Sequence, residues 1–161
     1  TICIDCRYIG RRYSGIAEVL RGLIDLMPLR APDLDFLLLR NPAHPGPLSA
    51  AANVSEVVVP QAANGPASMW WLPRLIDMAA IDLFHAPSNI MPARLTVPCV
   101  TTVHDIMWLP HPDWCRTGLR GTIDRLFYGH GIRRALRSAD AIVAVSEATA
   151  RDIVTHEPSA A

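Results

Sequence analysis

The chain contains no lysine, so all 15 of its basic residues are arginine. That absence excludes Schiff-base chemistry on a lysine amine and a phosphate loop built around a lysine. Neither charge is in surplus, because 15 acidic residues bring the formal net charge to zero. A dedicated nucleic-acid binder normally carries a basic excess, so no nucleic-acid partner is expected. No apolar run approaches the roughly 18–20 residues that a membrane-spanning helix needs. Nor does the N-terminus show a charged segment leading into an apolar one, so no secretory signal is expected and the cytoplasm is the expected compartment. Cysteine is sparse, at Cys3, Cys6, Cys99 and Cys115. Cys3 and Cys6 form a C-x-x-C, but it falls inside a strand pattern and no second pair completes a zinc site. Buried, reduced thiols are the expected state.

What is present is a core. Half of the 161 residues are hydrophobic, enough for one compact domain over residues 1–161. Ile2 to Cys6 reads as a strand. Ser14 is placed to cap a helix whose apolar positions Ile16, Val19, Leu20, Leu23 and Met27, with Ile24 at the edge, recur at helical steps. Pro28 and Pro32 mark its expected end. Leu34–Leu39 and Val54–Val59 read as further strands, separated by the proline-dense loop 41–47. A helix is expected over Ser68–Ala80, with Pro73 tolerated near its first turns. Trp70 and Trp71 there cannot both face one core.

Asp82–His85 and Pro98–His104 are the fourth and fifth strands. A long helical pattern follows from about Thr117 to Ser138, and its apolar face changes side midway. Leu119, Ile123, Leu126 and Phe127 lie on one side, whereas Ile132, Ala135, Leu136 and Ala139 lie on nearly the opposite one. The switch at Gly129-His130-Gly131 predicts a kink or break. Asp140–Val145 is a sixth strand, and Ser146 caps a last helix that frays from Glu157. Strands alternating with helices predict a Rossmann-like three-layer α/β/α domain with a mostly parallel sheet.

In such a sheet, ligands bind beyond the carboxyl ends of the strands where strand order reverses. With the order 3-2-1-4-5-6, the loops carrying Ser14-Gly15, His85 with Asn89, and His104-Asp105 are expected at that edge. Gly15 at a helix start allows backbone N–H groups to approach a phosphate, or is simply a turn glycine. His104, past an apolar strand, points to a polar pocket. Asp105 either orients its imidazole or caps the following turn, and His85 supports the pocket wall. His44, His111, His130 and His156 read as ordinary surface or loop residues. A dinucleotide site is not expected, because G-x-G-x-x-G is missing and Arg40 stands where an acid would grip a ribose. A metal-dependent phosphohydrolase also uses His-Asp pairs, but only His85 offers a further ligand, so no metal is expected.

These residues resemble a known family. Ser14-Gly15-Ile16 before an amphipathic helix, Asp82-Leu83-Phe84-His85-Ala86-Pro87, Thr102-Val103-His104-Asp105 and the run from Ala139 to Asp152 are similar to the N-terminal half of a retaining GT-B glycosyltransferase of family 4. The glycine loop departs from the pattern, with Ala17 and Glu18 where a glycine or an arginine-tyrosine pair is common. The resemblance implies an acceptor-side domain and a nucleotide-diphosphate sugar as co-substrate, with no other cofactor. It also implies a saccharide or lipid-linked acceptor, and a role in glycan or polysaccharide biosynthesis. Gly15, with Ser14, would lie near the donor diphosphate and His104 near the transferred sugar, as the catalytic contact; His85, Asn89 and Asp105 would wall the pocket. The donor-binding C-terminal domain is expected to lie outside this chain, leaving the piece inactive alone. Peripheral contact with the inner face of a membrane would suit Arg116, Arg120, Arg133, Arg134 and Arg137; a solvated helix face is the plainer alternative. A non-catalytic nucleotide- or sugar-binding module is the alternative function.

Overall fold

The computed structural model describes residues 1–10, 14–115 and 117–160. Helices follow the first, third, fifth and sixth strands, while loops alone join the second strand to the third and the fourth to the fifth, in a Rossmann-like α/β/α arrangement with the strand order 3-2-1-4-5-6 expected from the sequence. The chain divides into two compact units, the first comprising residues 1–87 and 92–99, the second 88–91 and 100–161.

The first unit holds β1 (Ile2–Asp5), β2 (Phe36–Arg40), β3 (Val54–Val58) and β4 (Leu83–Ala86). β1 pairs in parallel with β2 and β4, and β2 with β3, so all four carboxyl ends face one edge. The run Phe36-Leu37-Leu38-Leu39 is buried or half-buried throughout, as expected of a strand covered on both faces. β3 lies at the end of the order and is mostly exposed.

Helix α1 (Gly15–Arg30) buries Ala17, Leu20 and Ile24 in one cluster with Ile4, Phe36 and Leu38, and Pro28 is buried as well. This stripe is rotated from the expected one: Ile24 is central and Val19 is exposed. Pro28 does not end the helix, which runs to Arg30. Only Leu29 and Arg30 follow it in the helix, so the lost i→i−4 bond and the crowding of the Ile24 carbonyl fall in the last turns, where the helix can adjust. The Pro28 carbonyl is taken up by Asn53 Nδ2 at 3.2 Å.

Pro73 has the opposite effect. Helix α2 (Pro66–Trp71) starts two residues earlier than expected, with Pro66 in its first turn, where proline is well placed. Pro73 therefore falls far inside the expected helix, and only short 3-10 turns at Leu72–Arg74 and Met78–Ala80 follow α2. Trp70 and Trp71 both remain exposed, while Met69 and Leu72 fill the core.

The second unit contains β5 (Cys99–Val103, from Val100 onward), α3 (Gly118–Ser138), β6 (Ala141–Ala144) and α4 (Glu147–His156). β5 and β6 are parallel. Val103, Ile106, Ile132, Leu136 and Ile153 form its core, and Trp108 stacks on Tyr128 with ring centroids 5.0 Å apart. The expected break at Gly129-His130-Gly131 does not occur, because α3 is one continuous helix of 21 residues. Its buried positions are Gly121, Gly129, Gly131, Ile132, Ala135 and Leu136. In the first half, where the large apolar side chains point away, Gly121 is the only buried position among the described residues. The switch of apolar phase is therefore a change in what is buried, not a change of backbone.

Candidate functional site

In the first unit, the carboxyl end of β1 is the centre of a buried polar network that sequence reading passed over. Asp5 and Arg7 are both buried. Arg7 Nε donates to Asp5 Oδ1 at 2.7 Å and Nη2 to Oδ2 at 2.6 Å, a two-point pair. The remaining guanidinium nitrogen, Nη1, donates to the Gln61 carbonyl at 2.9 Å and to Ser68 Oγ at 2.7 Å. The Arg7 carbonyl in turn accepts from Asn41 Nδ2 at 3.2 Å. The Arg7 side chain thus ties the end of β1 to the loop after β3 and to α2, and its backbone carbonyl holds the loop after β2. The signal available in the sequence was an acid and an arginine two residues apart, at the end of an otherwise apolar strand.

His85 lies on β4 opposite Ile4 of β1 and is buried. Burial pushes its pKa below the ordinary histidine value, partly opposed by the nearby Asp5 carboxylate. A lowered folded pKa means that the unfolded chain binds the proton more readily. The contribution of His85 to stability is therefore present above the unfolded value of about 6.5 and is lost as pH falls below it. A thermal-melt series from pH 7.5 to 5 should show this acid loss, and His85→Gln should flatten it. An unchanged slope in the variant would show that His85 is not its source.

Ser14 caps α1 as expected, its Oγ accepting from the Ala17 N–H at 3.2 Å. A Cβ built on Gly15 meets nothing within 4 Å, so packing does not demand glycine there. Arg11, Arg12 and Tyr13 of the expected glycine loop lie outside the described residues, as does Arg116. Arg40, in place of a ribose-binding acid, pairs with Glu56 at 2.9 Å and donates to the His44 carbonyl at 3.0 Å. Burial pushes the Cys3 and Cys6 thiols well up from their usual range, which makes them inert packing groups.

In the second unit, His104 follows β5 and is half-buried. Its carbonyl accepts from Thr149 Oγ1 at 3.2 Å, and Thr149 also supplies the N–H that Ser146 Oγ caps at 3.1 Å. The start of α4 and the end of β5 are thereby joined. Asn89 Nδ2 donates to the Asp105 carbonyl at 2.9 Å, so Asn89, His104 and Asp105 are brought together in this unit. Asp105 Oδ1 accepts from the Met107 N–H at 3.1 Å, which is the turn-capping role among the two open to it. Thr101 Oγ1 donates to the Ser88 carbonyl at 2.9 Å and fixes the loop bearing Asn89. Thr101 and Thr149 were missed as site supports, because a threonine in an apolar strand or a helical first turn reads as ordinary propensity.

Among the described residues, no group of three or more histidine, cysteine, aspartate or glutamate side chains is placed to hold a metal ion. What the arrangement offers is a polar histidine on a backbone pinned from two sides, suited to positioning and charge stabilisation. Neither curated proteins nor solved structures gave a match. A protein-family model described as Glycosyltransferase Family 4 matches residues 14–160. Nearly the whole chain is thus accounted for by one family, and the chain belongs to Glycosyltransferase Family 4.

Proposed function

We propose that this chain is the acceptor-side domain of a retaining glycosyltransferase that moves a sugar from a nucleotide-diphosphate donor to a saccharide or lipid-linked acceptor. The setting is glycan or polysaccharide biosynthesis, at the cytoplasmic face of a membrane. The observation that carries this reading is the constrained end of β5. Thr149 holds the His104 carbonyl and Asn89 holds that of Asp105, so the His104 imidazole projects from a fixed backbone. In this role His104 contacts the transferred sugar, and Asn89 and Asp105 wall the pocket. Ser14 and Gly15, at the positive end of α1, lie near the donor diphosphate. A second Rossmann-like domain binds the nucleotide. Reaction is by front-face attack, with the departing diphosphate accepting the proton of the acceptor hydroxyl. The protein contributes orientation and charge stabilisation, and no covalent nucleophile is required.

The test is His104→Ala in the complete enzyme. Loss of a group that stabilises developing charge should lower the transfer rate by about 10²–10³-fold. A cooperative thermal melt of the variant establishes that it is folded before the rates are compared. Unaltered transfer in a folded variant would refute the role of His104. Tight, reversible nucleotide binding by the 161-residue chain alone would favour a binding module instead.

A further inference from the structure

Where α2 ends and the chain approaches β5, the first unit holds an open pocket of about 250 Å³. Trp70, Pro73 and Met78 form its apolar side, and Arg74, Arg94 and Thr96 its polar side. No carboxylate is among its described lining residues. Asp77, the acid nearest in sequence, caps the next turn instead, its Oδ1 accepting from the Ala79 N–H at 3.0 Å. The two walls are fixed to each other, because the Ala93 N–H donates to the Met69 carbonyl at 2.6 Å. Two guanidinium groups therefore share one small concavity with an indole ring and a hydroxyl.

Packing does not explain two of these residues. Trp70 is 38% exposed, although Met69 and Leu72 on either side of the Trp70-Trp71 pair are buried. An indole left at the surface offers a large, rigid apolar face with a polar tip, as binding surfaces use it. Arg94 has φ +60° and is the one non-glycine residue at positive φ among the described residues. A side chain is disfavoured there, and such strain gathers where a residue is used rather than where it fills space. Met78–Ala80 leads into β4, and Arg94 comes shortly before Pro98, whose carbonyl accepts from the Phe84 N–H at 2.9 Å. The pocket thus lies toward the amino end of β4, at the opposite edge from the loop that follows β1.

We propose that this pocket binds a carboxylate-bearing sugar residue, such as a uronic acid, within a saccharide chain. Two guanidinium forks complement one carboxylate. The indole packs on the apolar C–H face of a pyranose ring, and Thr96 supplies a hydroxyl to pair with one on the sugar. The volume is below the roughly 300–1,000 Å³ of sites for drug-sized ligands, which suits one ring and leaves little room for a whole nucleotide. Arg74, Arg94 and Thr96 are exposed, so the saccharide can continue out of the pocket. The choice of a saccharide rests on the glycan-forming reading above. On that reading the site holds an acidic chain away from the loop after β1 that the transfer uses.

The test is titration calorimetry of the 161-residue chain with tetragalacturonate and with its uncharged methyl ester. The acid is expected to bind at least about tenfold more tightly than the ester, and to bind less well as salt is raised. Arg94→Gly removes a guanidinium at a backbone position that glycine adopts freely, so the fold is kept. It should lower the affinity about tenfold or more, and Arg74→Gln should act alike. Trp70→Ala should weaken binding as well, with part of the loss recovered in Trp70→Phe, which keeps an aromatic face. Absence of binding, equal binding of acid and ester, or full affinity in Arg94→Gly or Trp70→Ala would overturn the proposal. So would tighter binding of uridine monophosphate through the same arginines, which would assign the pocket to a nucleotide. The readout uses no donor and does not involve His104. Absence of binding beside intact transfer by the complete enzyme sinks this site alone, whereas binding without any transfer sinks the transferase reading alone.

Discussion

Replacing Arg7 by alanine is expected to destabilise the chain by about 3–5 kcal/mol, because it leaves the buried Asp5 carboxylate without its partner. For a chain of this size each kcal/mol corresponds to roughly 2–4 °C in Tm, so a fall on the order of 10 °C should be seen. The geometry accounts for the size of the effect. Arg7 meets both oxygens of Asp5, the Gln61 carbonyl and the Ser68 hydroxyl, and none of these can turn to solvent without opening the loops they hold. Arg7→Lys should recover only part of the loss, since an ammonium cannot reproduce the planar two-point pair. The double substitution Asp5→Leu, Arg7→Met removes both charges and should be far milder than Arg7→Ala. A double-mutant cycle by urea unfolding measures the coupling. Additive single effects, or a loss below about 1 kcal/mol in Arg7→Ala, would show that the pair is not the tie described.

Leu136→Ala should cost about 2–5 kcal/mol, whereas Leu126→Ala should stay within about 0.5 kcal/mol of the parent. Both leucines lie on the same helix ten positions apart, and their helical propensities are identical. Only their surroundings differ. Leu136 packs with Val103, Ile106, Ile132 and Ile153, so its loss leaves a cavity, and Leu126 is largely in solvent. Chemical denaturation of the two variants separates a continuous helix with one buried face from a broken helix burying each half in turn. Equal, large losses would favour the latter.

Much of the fold was legible along the chain, and the reasons are local. Strands β2, β4 and β5 are mostly apolar runs with an asparagine or a proline at one end, and Ser14 and Ser146 sit just before helical patterns with the side-chain oxygen needed to cap them. The expected alternation of strand and helix is interrupted between β2 and β3 and between β4 and β5, yet the strand order is the expected one because parallel crossovers admit few topologies. Proline was less informative. Pro28 is accommodated near a helix end and the helix stops before Pro73, a difference that depends on where each helix begins. The candidate site was read in part. His104, Asp105 and Asn89 are joined in the second unit, and His85 is placed beside the Asp5 network in the first. The hydrogen bonds from Thr101 and Thr149, and the whole Asp5-Arg7 tie, run between residues distant in sequence or hidden among apolar neighbours.

The sequence alone determined the order of the strands, the capping residues, the strand ends at or beyond which His85, His104 and Asn89 lie, and the family resemblance now matched over residues 14–160. These depend on short-range chemistry and on residue order. Tertiary structure alone decided which face of a helix is inside. Periodicity shows that α3 has two apolar faces but is silent on which one finds a partner, since burial depends on what the rest of the chain brings alongside. The core took the side of Ile132 and Leu136, and left Leu119, Ile123 and Leu126 facing outward.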